Sequence, residues 1–258
     1  MKKVMIILVL LNSVNLIAAS KKPALTKKTE NYLTISSVEV IDDTQKYQRN
    51  FDDIKHRYQS SRIMSAPMST SLAMPSFSKS ASGIETLDVA DMALDKIINL
   101  GQKVWTVVEK GQPRMSYQNT VASALPENAK SWNDLENWKE PQTKVLSVAY
   151  KNFYGVEVVR FTYRIILVAG GDVNGVGSYI GYAAVEPIKM TTAYLYTFNA
   201  EAAVMNISNK GTHANPLAGM VLTVRWNVST LVKKTLGSHT FFLDGTGRID
   251  NAEIAELQ

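Results

Sequence analysis

An antiparallel β-sandwich is predicted for most of this chain, and three observations predict it. Long segments downstream of residue 140 alternate apolar and polar residues with a period of two, turn-forming residues separate them, and no internal repeat interrupts the pattern. In FYGVEVVRFTYRIILV, residues 153–168, Val159, Phe161, Tyr163, Ile165 and Leu167 fall on one face and Arg160, Thr162 and Arg164 on the other. In VLTVRWNVST, residues 221–230, Leu222, Val224, Trp226 and Val228 oppose Thr223, Arg225, Asn227 and Ser229. Further strands are expected near 144–151, 178–186, 191–207 and 238–243. Half-polar strands belong to antiparallel sheets with one wet face, and five or six of them joined by turns make a sandwich.

The segments ahead of the sandwich have other characters. MKKVMIILVLLNSVNLIAAS places Lys2 and Lys3 before an apolar run, Val4 to Leu11, that ends in small residues. This is the pattern of a secretory signal over 1–20 and predicts export to a periplasmic, cell-surface or extracellular location. The run is too short for a membrane span of about 20 residues. Residues 21–82 are read as a mostly disordered tail in which YLTISSVEVI, 32–41, has the alternation of a strand. The tail ends in a Ser, Ala, Met and Pro-rich linker at 60–82. The domain proper is placed at 83–258.

At 85–108 apolar residues recur at three- and four-residue steps, with Leu87, Leu94, Ile98 and Trp105 among them, and Ser82 and Glu85 stand at capping-box spacing. The spacing predicts an amphipathic helix packed on the sandwich. A membrane-active protein that inserts this helix is the alternative.

Composition limits the function further. The chain has no cysteine, so an oxidising compartment would be used without disulfides. Of the net charge of +5, two units are Lys2 and Lys3. Residues 21–62 carry nine Lys or Arg against six Asp or Glu, and 63–258 carry seventeen of each. A neutral folded part argues against a nucleic-acid face.

Catalytic motifs are missing. Ser178, preceded directly by Gly177, does not fit a nucleophile elbow. The three histidines, His56, His213 and His239, are scattered, so no catalytic residue and no typical zinc site is assigned. Gly175, Gly177 and Gly181 lack dinucleotide-loop spacing, and Asn174 with Gly175 makes a hairpin turn instead. No cofactor is expected.

Two stretches hold the candidate site residues. SWNDLENWKEP, 131–141, sets Trp132 and Trp138 in a loop where they are either the plug of the sandwich or a platform for a glycan or protein partner. Residues 244–253 resemble the second half of an EF-hand calcium loop, with Asp244, Asp250 and Glu253 at ligand positions. Phe242 stands where the first carboxylate belongs, which favours a turn over a metal site. The sequence therefore predicts an exported, non-enzymatic binding or structural protein of a bacterial envelope.

Overall fold

The computed structural model describes residues 25–48, 92–113 and 121–257. The expected signal over 1–20 and the linker at 60–82 lie outside the described residues. Two six-stranded antiparallel sheets pack as a sandwich. The first has the order β1 (Ile35–Asp42), β6 (Gln142–Asn152), β7 (Glu157–Val173), β8 (Val176–Thr192), β5 (Ala122–Glu127) and β2 (Ala93–Ile98). The second runs β12 (Ile249–Leu257), β11 (Lys234–Asp244), β10 (Ala218–Ser229), β9 (Thr197–Asn209), β3 (Val104–Glu109) and β4 (Gln112–Pro113).

Alternation decides which side chains meet between the sheets. Val159, Phe161, Tyr163, Ile165 and Leu167 of β7 are buried, as are Leu222, Val224, Trp226 and Val228 of β10. Phe161 packs on Phe198 with ring centroids 4.9 Å apart, and Tyr163 stands edge-on to Phe241 at 6.4 Å. Two polar pairs also cross the gap. The Trp226 indole N–H donates to the Tyr150 hydroxyl at 2.6 Å, and the Tyr163 hydroxyl lies 3.1 Å from His239 Nδ1. Buried polar atoms need partners, and these two bonds fix how the sheets lie against each other.

The expected turn at Asn174 and Gly175 joins β7 to β8, with φ of 52° and 77° in a two-residue loop. Positive φ at both positions matches the right-handed twist of the flanking strands.

The helix predicted at 85–108 is corrected by the structure. Its described part forms β2 and β3, and the helix that precedes the sandwich is instead α1, Lys27–Leu33, capped by Thr26. In β3, Val104 and Thr106 point outward while Trp105 and Val107 are buried, a period of two hidden inside the three- and four-residue steps. β-Branched residues at 97, 98, 104, 106, 107 and 108 favour the pleated surface. The break falls at Gly101, where a Cβ would meet the Val121 carbonyl oxygen at 1.8 Å. Asn99 closes that turn by accepting from the N–H groups of Gly101 and Ser123.

The described part of the predicted tail, 25–48, is ordered against the sandwich. β1 pairs with β6 from Ile35↔Asn152 to Asp42↔Leu146. The folded unit thus includes a strand well upstream of residue 83.

Candidate functional site

The tryptophan loop is built as a plug. Ser131 and Asp134 form a capping box around a single 3-10 turn, Trp132–Asp134. Trp138 donates its indole N–H to the Trp132 carbonyl at 3.0 Å, and the two rings meet edge to face at 6.0 Å. A Cβ on Gly171 or Gly181 would come within 2.4 or 2.9 Å of the Trp138 ring. Glycine at both positions gives the indole its seat on β7 and β8. Trp132 and Trp138 are brought together, partly buried, with one use for the Trp138 ring already evident.

The stretch resembling a calcium loop is the β11–β12 hairpin turn. Asp244 Oδ1 accepts from the Thr246 backbone and hydroxyl at 3.0 and 2.5 Å, and the Gly247 N–H donates to the Asp244 carbonyl at 3.0 Å. Lys210 Nζ approaches Asp244 Oδ2 at 3.3 Å, and Arg248 Nε reaches Asp250 Oδ2 at 2.8 Å. Burial works against the Asp244 carboxylate, but the Thr246 and Lys210 hydrogen bonds outweigh it and hold the acid below its ordinary value. Both acids are thus engaged by cations of the protein; the Glu253 side chain lies outside the described residues. Among the described residues, no cluster of three metal-ligating His, Cys, Asp or Glu side chains occurs. Added calcium is expected to leave the melting temperature unchanged. A ligand at a hundred times its dissociation constant would stabilise by about 2.7 kcal/mol, so a melting scan with and without calcium checks this.

Residues considered for hydrolysis are dispersed. Ser178 Oγ donates to the Gly245 carbonyl at 2.7 Å and pins the same turn. His213 Nδ1 sits 2.7 Å from Asp95 at the surface, His239 is buried in the core, and His56 lies outside the described residues. A groove of about 550 Å³ between β1, β6 and the β11–β12 turn is lined by Asp42, Thr44, Gln45, Gln142, Lys144 and Ile249, among others. Its charges are the loose pair Lys144 and Asp42, 3.8 Å apart.

The opposite end of the sandwich has a different surface, which sequence reading missed. Three turns meet there: 153–156 between β6 and β7, 193–196 between β8 and β9, and 230–233 between β10 and β11. Neighbouring strands hold them side by side, through Val159↔Thr192 and Phe198↔Val228. Their apolar residues face water. Phe153 is 60% exposed, Val156 55%, Tyr194 81% and Leu231 70%. Tyr154, Leu195 and Val232 are exposed as well.

Local geometry fixes the middle turn, 193–196. Leu195 has a φ of 68°, a left-handed conformation that bulky residues rarely adopt. The turn is held by the Tyr196 hydroxyl, which donates to the Tyr32 carbonyl at 2.5 Å, and by the Tyr196 N–H, which donates to the Ala193 carbonyl at 3.2 Å. Burial, with the neighbouring Tyr32, pushes the Tyr196 hydroxyl up to about 12, so it stays a donor. Backbone strain that keeps apolar residues in water points to a use for them.

Among the described residues no helix is long and apolar enough to cross a membrane. No protein-family model, no curated protein and no solved structure matches the chain, and its function is read from its own geometry.

Proposed function

We propose that this is an exported, non-enzymatic binding protein that attaches to a bacterial envelope through its three-turn apolar end. The observation that carries the reading is Tyr194, 81% exposed beside the left-handed Leu195, with Phe153, Val156 and Leu231 exposed on the adjoining turns. Single apolar residues at a surface are ordinary, whereas a contiguous patch marks an interaction site. The signal-like sequence at 1–20 supports export, and the dispersal of Ser178, His213 and His239 supports binding over catalysis. Insertion of a helix at 85–108 is no part of the proposal, because residues 93–98 and 104–109 are strands.

Burying a leucine side chain contributes about 1.5–3 kcal/mol, and the tyrosine ring adds apolar area of its own. The double change Tyr194→Ser with Leu231→Ser is therefore expected to lower retention on an isolated envelope fraction by at least about tenfold. Trp132→Ala should leave retention unaltered. If Trp132→Ala abolishes retention and the double change does not, the tryptophan loop is the binding surface and the proposal fails.

A further inference from the structure

Resting on that reading, we infer that the surface met by the apolar end is an anionic lipid bilayer. Three independent features of the same end point to lipid.

The first is the state of the backbone in the turns. In the 153–156 turn, Asn152 Oδ1 accepts from the N–H groups of Tyr154 and Val156 at 3.0 and 3.1 Å, and the Gly155 N–H donates to the Asn152 carbonyl at 2.8 Å. In the 230–233 turn, Thr230 Oγ1 accepts from Val232 and Lys233, and the Thr230 N–H donates to the Lys233 carbonyl at 2.8 Å. The Tyr196 N–H is satisfied within its own turn. A protein partner can supply hydrogen bonds to open turn amides, but a hydrocarbon surface cannot. These turns can lose water without leaving those donors bare, and of the remaining turn amides only those of Tyr194, Leu195 and Leu231 are without a hydrogen bond among the described residues. Asn152 Nδ2 is the one buried side-chain nitrogen or oxygen of the three turns without a partner among the described residues.

The second is the kind of side chain displayed. Tyr154 and Tyr194 join an apolar ring to a hydroxyl, and such rings favour the level of the lipid headgroups. Phe153 stands edge to face with Tyr154 at 5.9 Å, a pair that projects from the turn.

Charge is the third. Lys233 and Lys234 adjoin Leu231 and Val232, Lys110 lies in the neighbouring β3–β4 turn, and Lys27 and Lys28 start α1; all five are exposed. The Lys28 carbonyl accepts from the Tyr154 hydroxyl at 3.4 Å, which places α1 beside the 153–156 turn. Of the acids at this end with described side chains, Glu157 is held by Arg160 at 2.5 Å, and Glu30 and Glu109 stand beside the five lysines; the pairing of Gly237 with Glu256 brings one further acid to this end. Long lysine side chains around an apolar tip reach acidic headgroups while the tip enters the interface.

The test is flotation of the full chain with vesicles of phosphatidylcholine alone and of phosphatidylcholine mixed with phosphatidylglycerol, at low and high salt. Because the apolar run Val4 to Leu11 has its own affinity for lipid, the differences between variants carry the result. Binding should be stronger on the anionic vesicles and weaken with salt. Lys233→Ala with Lys234→Ala should reduce anionic binding by about fivefold per lysine and leave binding to phosphatidylcholine alone unchanged. Tyr194→Ser with Leu231→Ser should reduce binding to both vesicles by at least about tenfold. All four positions are exposed, so equal melting temperatures verify that the variants are folded.

Equal binding of the parent and the Tyr194, Leu231 variant to anionic vesicles overturns the inference. It is overturned too if lipid binding is absent while envelope retention still depends on Tyr194 and Leu231. That outcome leaves the docking end intact and assigns it a protein or glycan partner. Lipid-free self-association that these changes abolish, without vesicle binding, assigns the end to a second copy of the chain. Envelope retention indifferent to the same changes defeats the docking reading itself.

Discussion

Replacing Trp226 by alanine is expected to lower stability by about 3–5 kcal/mol, the range for deleting a large aromatic from a packed core. The indole is 3% exposed, and its N–H bonds to the Tyr150 hydroxyl of the other sheet at 2.6 Å. The substitution therefore opens a cavity and removes a bond between the layers together. For a domain of this size the melting temperature should fall by roughly 10 °C or more. Two smaller changes separate the contributions. Tyr150→Phe keeps the packing but removes the acceptor, and should cost about 1–3 kcal/mol. Gly237→Ala keeps the bond partners but places a Cβ 2.6 Å from the indole nitrogen; overpacking of this kind costs about 1–3 kcal/mol. Denaturant unfolding of the three variants checks the order. A Trp226→Ala protein with an unchanged midpoint would contradict the two-layer core.

Acid should destabilise the protein between pH 6.5 and about 4 through His239. Burial, with a smaller contribution from the charge of Lys144, lowers this imidazole from 6.5 to about 4. The folded state thus keeps His239 neutral over a range where the unfolded chain binds a proton. Stability is complete above pH 6.5 and falls as pH drops toward 4, where the loss levels off. At 1.36 kcal/mol per pH unit the full loss is about 3 kcal/mol. Carboxylates held below their ordinary values, Asp42, Glu157 and Asp244, act at lower pH, where protonation removes the stability they contribute. His239→Phe keeps an aromatic ring beside Phe241 and removes the titration. Its melting temperature should be flatter than the parent's between pH 6.5 and 4, with the steep fall below pH 4 retained. An identical slope in both proteins would show that His239 does not carry the effect.

The sandwich was legible where apolar and polar residues alternate along a strand. In β7 and β10 the inward set could be listed residue by residue because the side-chain period of a strand is two. β2 and β3 were misread because two short strands, separated by the five residues from Asn99 to Lys103, spread apolar residues at spacings that imitate a helix. What distinguishes them is tertiary. Gly101 must lie against the backbone of Val121, a contact between distant parts of the chain that local periodicity cannot express.

The apolar end was hidden for a related reason. Phe153 and Tyr194 continue the composition of the strands beside them, so the strand pattern absorbed them. A glycine at 155 hints at the first turn. The second, at 193–196, contains no glycine, proline or asparagine, because Leu195 itself takes the left-handed conformation. Turn rules depend on residues that adopt such angles easily, and they fail where tertiary bonds such as Tyr196 to Tyr32 impose the angle. The tryptophan loop, by contrast, carried a local signature, since Ser131 and Asp134 stand at capping spacing.

The placement of β1 has a consequence for how the protein folds. Its partner is β6, and the Ser36 hydroxyl bonds the Asn152 carbonyl 116 residues further along the chain. Closing a loop of that length costs about 2 kcal/mol more than closing one of ten residues, before any pairing is gained. The runs β6–β7–β8 and β9–β10–β11 close over short turns and should form first, and β1 should be added to an edge they have already made. During synthesis, β1 waits for its partner until more than half of the chain has been made. Topologies dominated by such distant pairings fold in milliseconds to seconds, with β1 among the last parts of the sandwich to dock.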